Sequence, residues 1–318
     1  MTLDSYVKKY RALFRDKNPQ IKTAHTNDGH FYVSPADPAP YHSVTYFTSF
    51  IKDPSIANWR KNKALERFKQ LWETDIKNNT HVDIDYYIGQ ASIAPEGQFQ
   101  LAGDIGSTTH SIRQQWFQEW IDSGVIQKTD AEIDALPIPE NVELEVISGC
   151  RAIKRFLKET GYIPVACELA LVDDELKVGG QIDDLGVFPN LTKIPVTVHT
   201  GDYKYTAVGT ELAEWAKGGY KIKYHPYLGF VDLKTSSQGK KPAYAFQVRG
   251  FYQKMIWKTF RVKPKKTFIL HTSKADGTYQ LPDLTDMKFL EKDCADLVRL
   301  SRSWDRVIQA FKPKVITI

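Results

Sequence analysis

Residues 228–236 read LGFVDLKTS, an apolar strand that carries Asp232 and Lys234. Side chains alternate along a strand, so these two leave one face while Val231 and Leu233 leave the other, toward a packed layer. Acids and lysines are seldom buried unless paired or bound to metal. Taken alone, the pair fits a surface strand with a cross-strand ion pair as well as it fits a catalytic strand. Two further acids share that apolar context upstream: Glu168 in VACELALV (165–172) and Asp183 in GGQIDDLGV (179–187). Their segments, 163–174 and 175–188, meet at an Asp pair that suits a hairpin turn.

Outward from these strands the pattern alternates. A helix is expected at 243–260 (AYAFQVRGFYQKMIWKTF), a strand at 265–273 and a last helix from about Met287 to Phe311. Upstream, DIGSTTHSIRQQWFQEWIDSG (104–124) predicts a helix capped by Ser107 or Thr108 and ended by Gly124. Ile112, Trp116 and Trp120 form its core stripe. An acidic connection (127–146) leads to a basic helix from Cys150 to Thr160. Such an order predicts an α/β fold with a mixed central sheet flanked by helices. Residues 192–224 read as an insertion between the second and third strands.

Residues 1–103 read as a helical, basic N-terminal region, and 104–318 as the core. A second helix is expected to begin near Pro54, with Arg60, Lys61, Lys63, Arg67 and Lys69 between its apolar positions. That charge is either a solvated face or a contact for phosphates. Residues 75–103 read as loop with short strands. There His81, Asp83 and Asp85 alternate, as an exposed edge strand or a mimic of a metal site.

Composition narrows the classes. The 318 residues hold 43 Lys+Arg and 38 Asp+Glu, a net charge of +5, with 42% hydrophobic and 25% charged residues. Those values are globular and exclude whole-chain disorder. No stretch has the length and apolarity of a membrane span, and the N-terminus lacks a signal core. Three scattered cysteines (Cys150, Cys167, Cys294) form neither a disulfide framework nor a four-cysteine cluster. They read as small buried residues in a reducing, cytoplasmic setting.

Carboxylates brought to one point repel, at about 4 kcal/mol per pair for ~4 Å and an effective dielectric of ~20. A divalent cation removes that repulsion. Oxygen ligands suit Mg²⁺ or Mn²⁺, and a histidine tilts the site toward Mn²⁺.

The ordered set resembles the PD-(D/E)XK nuclease superfamily, in its RecB-like exonuclease branch. His110 in GSTTHSIRQQWF resembles the first-helix histidine preceded by a glycine, and Glu168 the first-strand acid. Asp183 follows Gly180 in a G-x-x-D pattern, which selects it over Asp184. Asp232 and Lys234 resemble the D-x-K strand, and Gln247 the glutamine that opens the next helix. HSVTYFTSFIKDPSIANWRK (42–61) is similar to the opening of phage nucleases of this branch, a style shared by mitochondrial genome-maintenance exonucleases.

The resemblance implies a restriction-endonuclease-like fold and a metal-dependent DNA exonuclease acting in phage replication, recombination or end processing, in the host cytoplasm if phage-encoded. His110, Asp183, Asp232 and the Leu233 carbonyl would hold Mg²⁺ or Mn²⁺. Lys234 would position the attacking water, Glu168 would support the metal site or a second ion, and Gln247 would order the site or contact a phosphate. Arg60, Lys61, Arg113, Arg249 and Lys254 are the candidate contacts to DNA. The substrate would be DNA with a free end or a single-stranded segment. A homo-oligomer or a replication or recombination protein stands as a further partner. An endonuclease of the same fold and a non-catalytic nucleic-acid-binding descendant are the alternatives.

One position departs from the pattern. The family's tyrosine falls four residues after the glutamine, where this chain has Phe251, with Tyr252 following. At about 100° per residue an α-helix turns Tyr252 well away from Gln247.

Overall fold

The computed structural model describes residues 2–26, 29–51, 54–78, 83–189, 227–235, 242–287 and 290–311. The segment read as an insertion and His81 lie outside the described residues.

One open mixed sheet organises the chain. Its strands are β1 (Lys22–Thr26), β2 (Gly29–Ser34), β3 (Asp37–Ser43), β4 (Ile163–Asp173), β5 (Val178–Phe188), β6 (Tyr227–Lys234), β7 (Lys266–Thr272) and β8 (Tyr279–Gln280). The order is β1-β2-β3-β5-β6-β7-β8, with β4 also on β5. β4 and β5 are the expected hairpin, antiparallel along nearly their whole length. That occupies one edge of β5, so β3 and β6 share the other. β3 pairs in parallel at Val178 and Gly179, and β6 pairs antiparallel from Asp184 to Phe188. β7 then runs parallel to β6.

Alternation along β6 sorts the core into two layers. Leu228 and Phe230 join a cluster with α1 (Leu3–Asp16), α2 (Val44–Thr48) and the helical run 242–260, through Val7, Phe14, Phe47, Val248 and Met255. Val231 and Leu233 join the other, as the alternation predicts. There Ile112, Trp116 and Trp120 of α4 (Ile84–Asp122) meet Ile153, Phe156 and Leu157 of α6 (Leu144–Thr160), with Ile133 of α5 (Asp130–Asp134). Burying each side chain of this size contributes about 1.5–3 kcal/mol.

Three expectations need correction. Residues 75–78 and 84–103 are helical: α3 (Pro54–Asn78) packs along the first half of α4, with Trp59 on Phe99 and Phe68 on Tyr87. Gly89, Pro95, Gly97 and Gly103 imitate helix breakers there, yet α4 runs through them. Asp83 is not a strand residue but the α4 cap, its side chain accepting from the Tyr86 N–H. Ser107 and Thr108 therefore cap nothing, since they lie inside a 39-residue helix that also crosses positions 103 and 104. Finally, the first third supplies β1–β3 as well as helices. β1 is exposed throughout, so no alternation marked it.

Candidate metal centre

Three strands and one helix bring the acids together. The β4–β5 register pairs Cys167 with Asp184 and Leu169 with Ile182, which sets Glu168 opposite Asp183. The β5–β6 ladder ends at Asp184 and Val231, so Asp183 and Asp232 stand one position beyond its last pair. α4 crosses above with His110 and Arg113, three apart and on one face. Gly106 permits that approach: a Cβ there would fall 2.9 Å from Thr235 Oγ1.

His110, Glu168 and Asp183 each offer a ligand atom within 4.8 Å of the other two. Donors held about 2.1 Å from one ion lie at most ~4.2 Å apart, so a contraction of well under an ångström closes the set. His110 Nδ1 is 3.8 Å from Asp183 Oδ1. The Leu233 N–H donates to Asp183 Oδ2 at 2.6 Å, and the Leu233 backbone also hydrogen-bonds His110. Asp232 is outside the three. Its Oδ2 lies 2.5 Å from Lys234 Nζ, and apart from that ion pair neither oxygen meets a hydrogen-bond donor among the described residues. A buried carboxylate oxygen, Oδ1, with no partner among the described residues, beside three potential ligands, fits a cation.

Arg113 is wholly buried inside this group rather than facing solvent. It contacts Glu168 Oε1 at 2.5 Å, Asp184 Oδ2 at 3.0 Å and Asp183 Oδ2 at 3.6 Å. Its expected contact with DNA is thus replaced by an internal one. Four carboxylates (Glu168, Asp183, Asp184, Asp232) against Arg113 and Lys234 leave two negative charges when all are ionised, the amount a divalent ion balances.

Burial sets the protonation. It pushes Glu168 up to about 7, against the pull of Arg113, and Asp232 up to about 6, against Lys234. Burial also lifts Asp184 well above the ordinary range. Asp183 stays low because His110, Arg113, Lys234 and the Leu233 N–H outweigh its burial. His110 falls to about 4 through burial, so its imidazole is neutral and can ligate. Lys234 rises despite burial, held up by Asp232 and Asp183, and so works as a cation.

Glu168 has φ +51°, a left-handed conformation costing roughly 1–3 kcal/mol in a non-glycine residue. Gln181, which the sequence did not single out, donates from Nε2 to Glu168 Oε2 at 2.7 Å and fixes the carboxylate.

The departure at Tyr252 resolves in the backbone. After a turn at α7 (Pro242–Ala245), Phe246–Tyr252 forms a π-helix, and α8 (Gln253–Phe260) continues it. A wider i→i+5 turn brings position 252 back over position 247. Gln247 Nε2 donates to the Tyr252 hydroxyl at 2.8 Å. Gly180 accommodates that ring, since a Cβ would meet Tyr252 Cε1 at 2.4 Å.

The remaining candidate cations are spread out. Arg249 is buried, bonded to Gln253 Oε1 and, at 3.3 Å, to the Thr285 carbonyl. Lys254 pairs with Asp173 at 3.2 Å. Both are engaged by the protein itself. Arg60, 3.4 Å from Glu96, and Lys61 are exposed on α3. No helix among the described residues is long and apolar enough to cross a membrane. No protein-family model and no curated protein matches this chain.

Proposed function

We propose that this protein is a metal-dependent DNA exonuclease of the RecB-like PD-(D/E)XK type, with a restriction-endonuclease-like core. The observation that carries the reading is the convergence of His110, Glu168 and Asp183 beside the Asp232–Lys234 pair, from positions up to 124 residues apart.

His110, Glu168 and Asp183 would hold the cation, and Asp232 would join through its unpartnered Oδ1. A divalent cation supplies charge neutralisation on a phosphodiester and a more acidic water. Lys234, kept cationic, orients that water and stabilises charge building on the phosphate oxygens. Water oxygen bonds to phosphorus, the bridging P–O bond breaks, and the departing oxygen takes a proton. Arg113 neutralises Glu168 and Asp184 from within and holds the acids in place. Gln247, fixed by Tyr252, whose ring packs on Gly180, would order the water or a phosphate oxygen.

The test is digestion of end-labelled linear and closed circular DNA with Mg²⁺, Mn²⁺ or chelator. Release of nucleotides from linear DNA only, abolished by chelator, is expected. Cutting of closed circles would replace the reading by an endonuclease. No hydrolysis with either metal would leave a non-catalytic binding protein.

A further inference from the structure

The centre opens into a cleft of about 670 Å³ that the reading above does not use. Its floor is β4 from Val165 to Leu169, whose outer edge carries no strand among the described residues. One wall is α4, with Gln114 and Gln118 following His110 at successive turns. The opposite wall is α1, with Lys8, Arg11 and Arg15. Glu168 lies at the inner end, so the cleft and the candidate metal centre share a residue.

Arg11 is the informative side chain. Lys8 is paired with Asp4 at 2.9 Å, and Arg15 with Asp16 at 2.8 Å. Arg11 has no acid partner among the described residues. Its Nη2 donates to the Pro164 carbonyl at 3.3 Å, while Nε and Nη1 are buried with no hydrogen-bond partner. A guanidinium presents a planar fork of donors that matches phosphate oxygens. Arg11 lines a cleft that leads to the proposed phosphodiester-cleaving centre, and two donors of its fork without a partner among the described residues describe a missing anion that a small shift of the side chain would admit.

The geometry points to this cleft as the track for one nucleic-acid strand, with Arg11 gripping a backbone phosphate and Gln114 and Gln118 lining its way to the metal centre. The volume is that of a pocket for a small ligand, so a single strand enters and a duplex does not. Cations on one wall, with Gln114, Gln118 and the single acid Asp122 (which accepts from Gln118 Nε2) on the other, read phosphates and not base identity. The inference rests on the nuclease reading, which supplies the substrate class.

The test is fluorescence anisotropy with a labelled oligo-dT of about a dozen nucleotides, in chelator so that nothing is cut, across a salt series. Arg11→Gln is expected to weaken binding roughly tenfold and to lower the salt slope by about one ion. Gln114→Glu, at an exposed helix position that folding tolerates, is expected to weaken binding similarly by placing charge against the strand. With Mn²⁺ present, both should raise KM and leave kcat nearly unchanged. Unaltered affinity and salt slope in both variants would overturn the strand track. If both behave as expected in chelator but the wild type hydrolyses nothing, the track stands and the nuclease reading fails. If hydrolysis is robust with KM untouched in both, the nuclease reading stands and the track fails.

Discussion

The Gln247 side-chain amide donates to the Tyr252 hydroxyl across five residues, a spacing that only the π-helix between them makes possible. That contact holds the ring over Gly180, three residues before Asp183. Tyr252→Phe removes the acceptor and is expected to cost about 0.5–1.5 kcal/mol in urea unfolding. Gly180→Ala forces a Cβ into the ring and should cost about 1–3 kcal/mol. In a Tyr252→Ala background the same glycine change should cost much less, with a coupling of about 0.5–3 kcal/mol. Simple additivity would show that the ring does not set the need for glycine.

Lys234→Met should reduce hydrolysis about 10²–10³-fold, the usual cost of one lost transition-state donor. The fold should survive, because Asp232, already pushed up to about 6, takes a proton once its partner is gone. Circular dichroism and a labelled-DNA assay on the same preparation check both halves. Retained turnover would remove Lys234 from the chemistry.

Arg113→Met leaves Glu168 and Asp184 buried without their counter-charge. Breaking a buried pair in this way costs about 3–5 kcal/mol, read as a lower thermal midpoint. A change below ~1 kcal/mol would mean that the acids are stabilised by something other than this guanidinium.

Protonation gives the metal-free protein a distinctive pH profile. Glu168, Asp232 and Asp184 have folded pKa values raised above those of the unfolded chain. The native state thus binds extra protons, and its stability falls as pH rises from about 4.5 to about 7. His110, lowered to about 4, has the opposite sign up to about 6.5, as do His30 and His42, but His30 is exposed and His42 half-buried, so the three buried carboxylates outweigh them. Asp183, already low, titrates below this window. Urea unfolding in chelator should show that decline, and Mn²⁺ at neutral pH should reverse it by favouring the ionised acids. A stability that climbs with pH in chelator would contradict the arrangement.

Gln181→Leu removes the donor that fixes Glu168. Loss of an outer partner of a ligand typically lowers metal affinity 10–100-fold, measurable by calorimetric Mn²⁺ titration. Unchanged affinity would take Glu168 out of the ligand set.

The sheet core was legible because Glu168, Asp183, Asp232 and Lys234 interrupt apolar runs, and such interruptions survive in a bare sequence. The β4–β5 hairpin, the β6 alternation and the Trp116–Trp120 stripe follow from period alone. Other features depend on tertiary partners. Arg113 looks like any helix arginine until three acids from two strands surround it. The π-helix hides because its extra residue per turn mimics a misplaced tyrosine. The polar β1 and the glycine-rich, proline-containing part of α4 carry local signals that packing overrides.

Between Gly179, where β3 leaves it, and Asp184, where β6 joins, β5 has no strand on that edge among the described residues. The window beside Asp183 is therefore a property of the main chain, not of the acids around it. Stripping those acids of charge should remove the proposed turnover but leave the aperture standing. The strand cleft floored by β4 lies on the hairpin's other edge, so an Asp183→Asn protein should still bind its strand there and stall with it, which makes it the form in which to capture the complex intact.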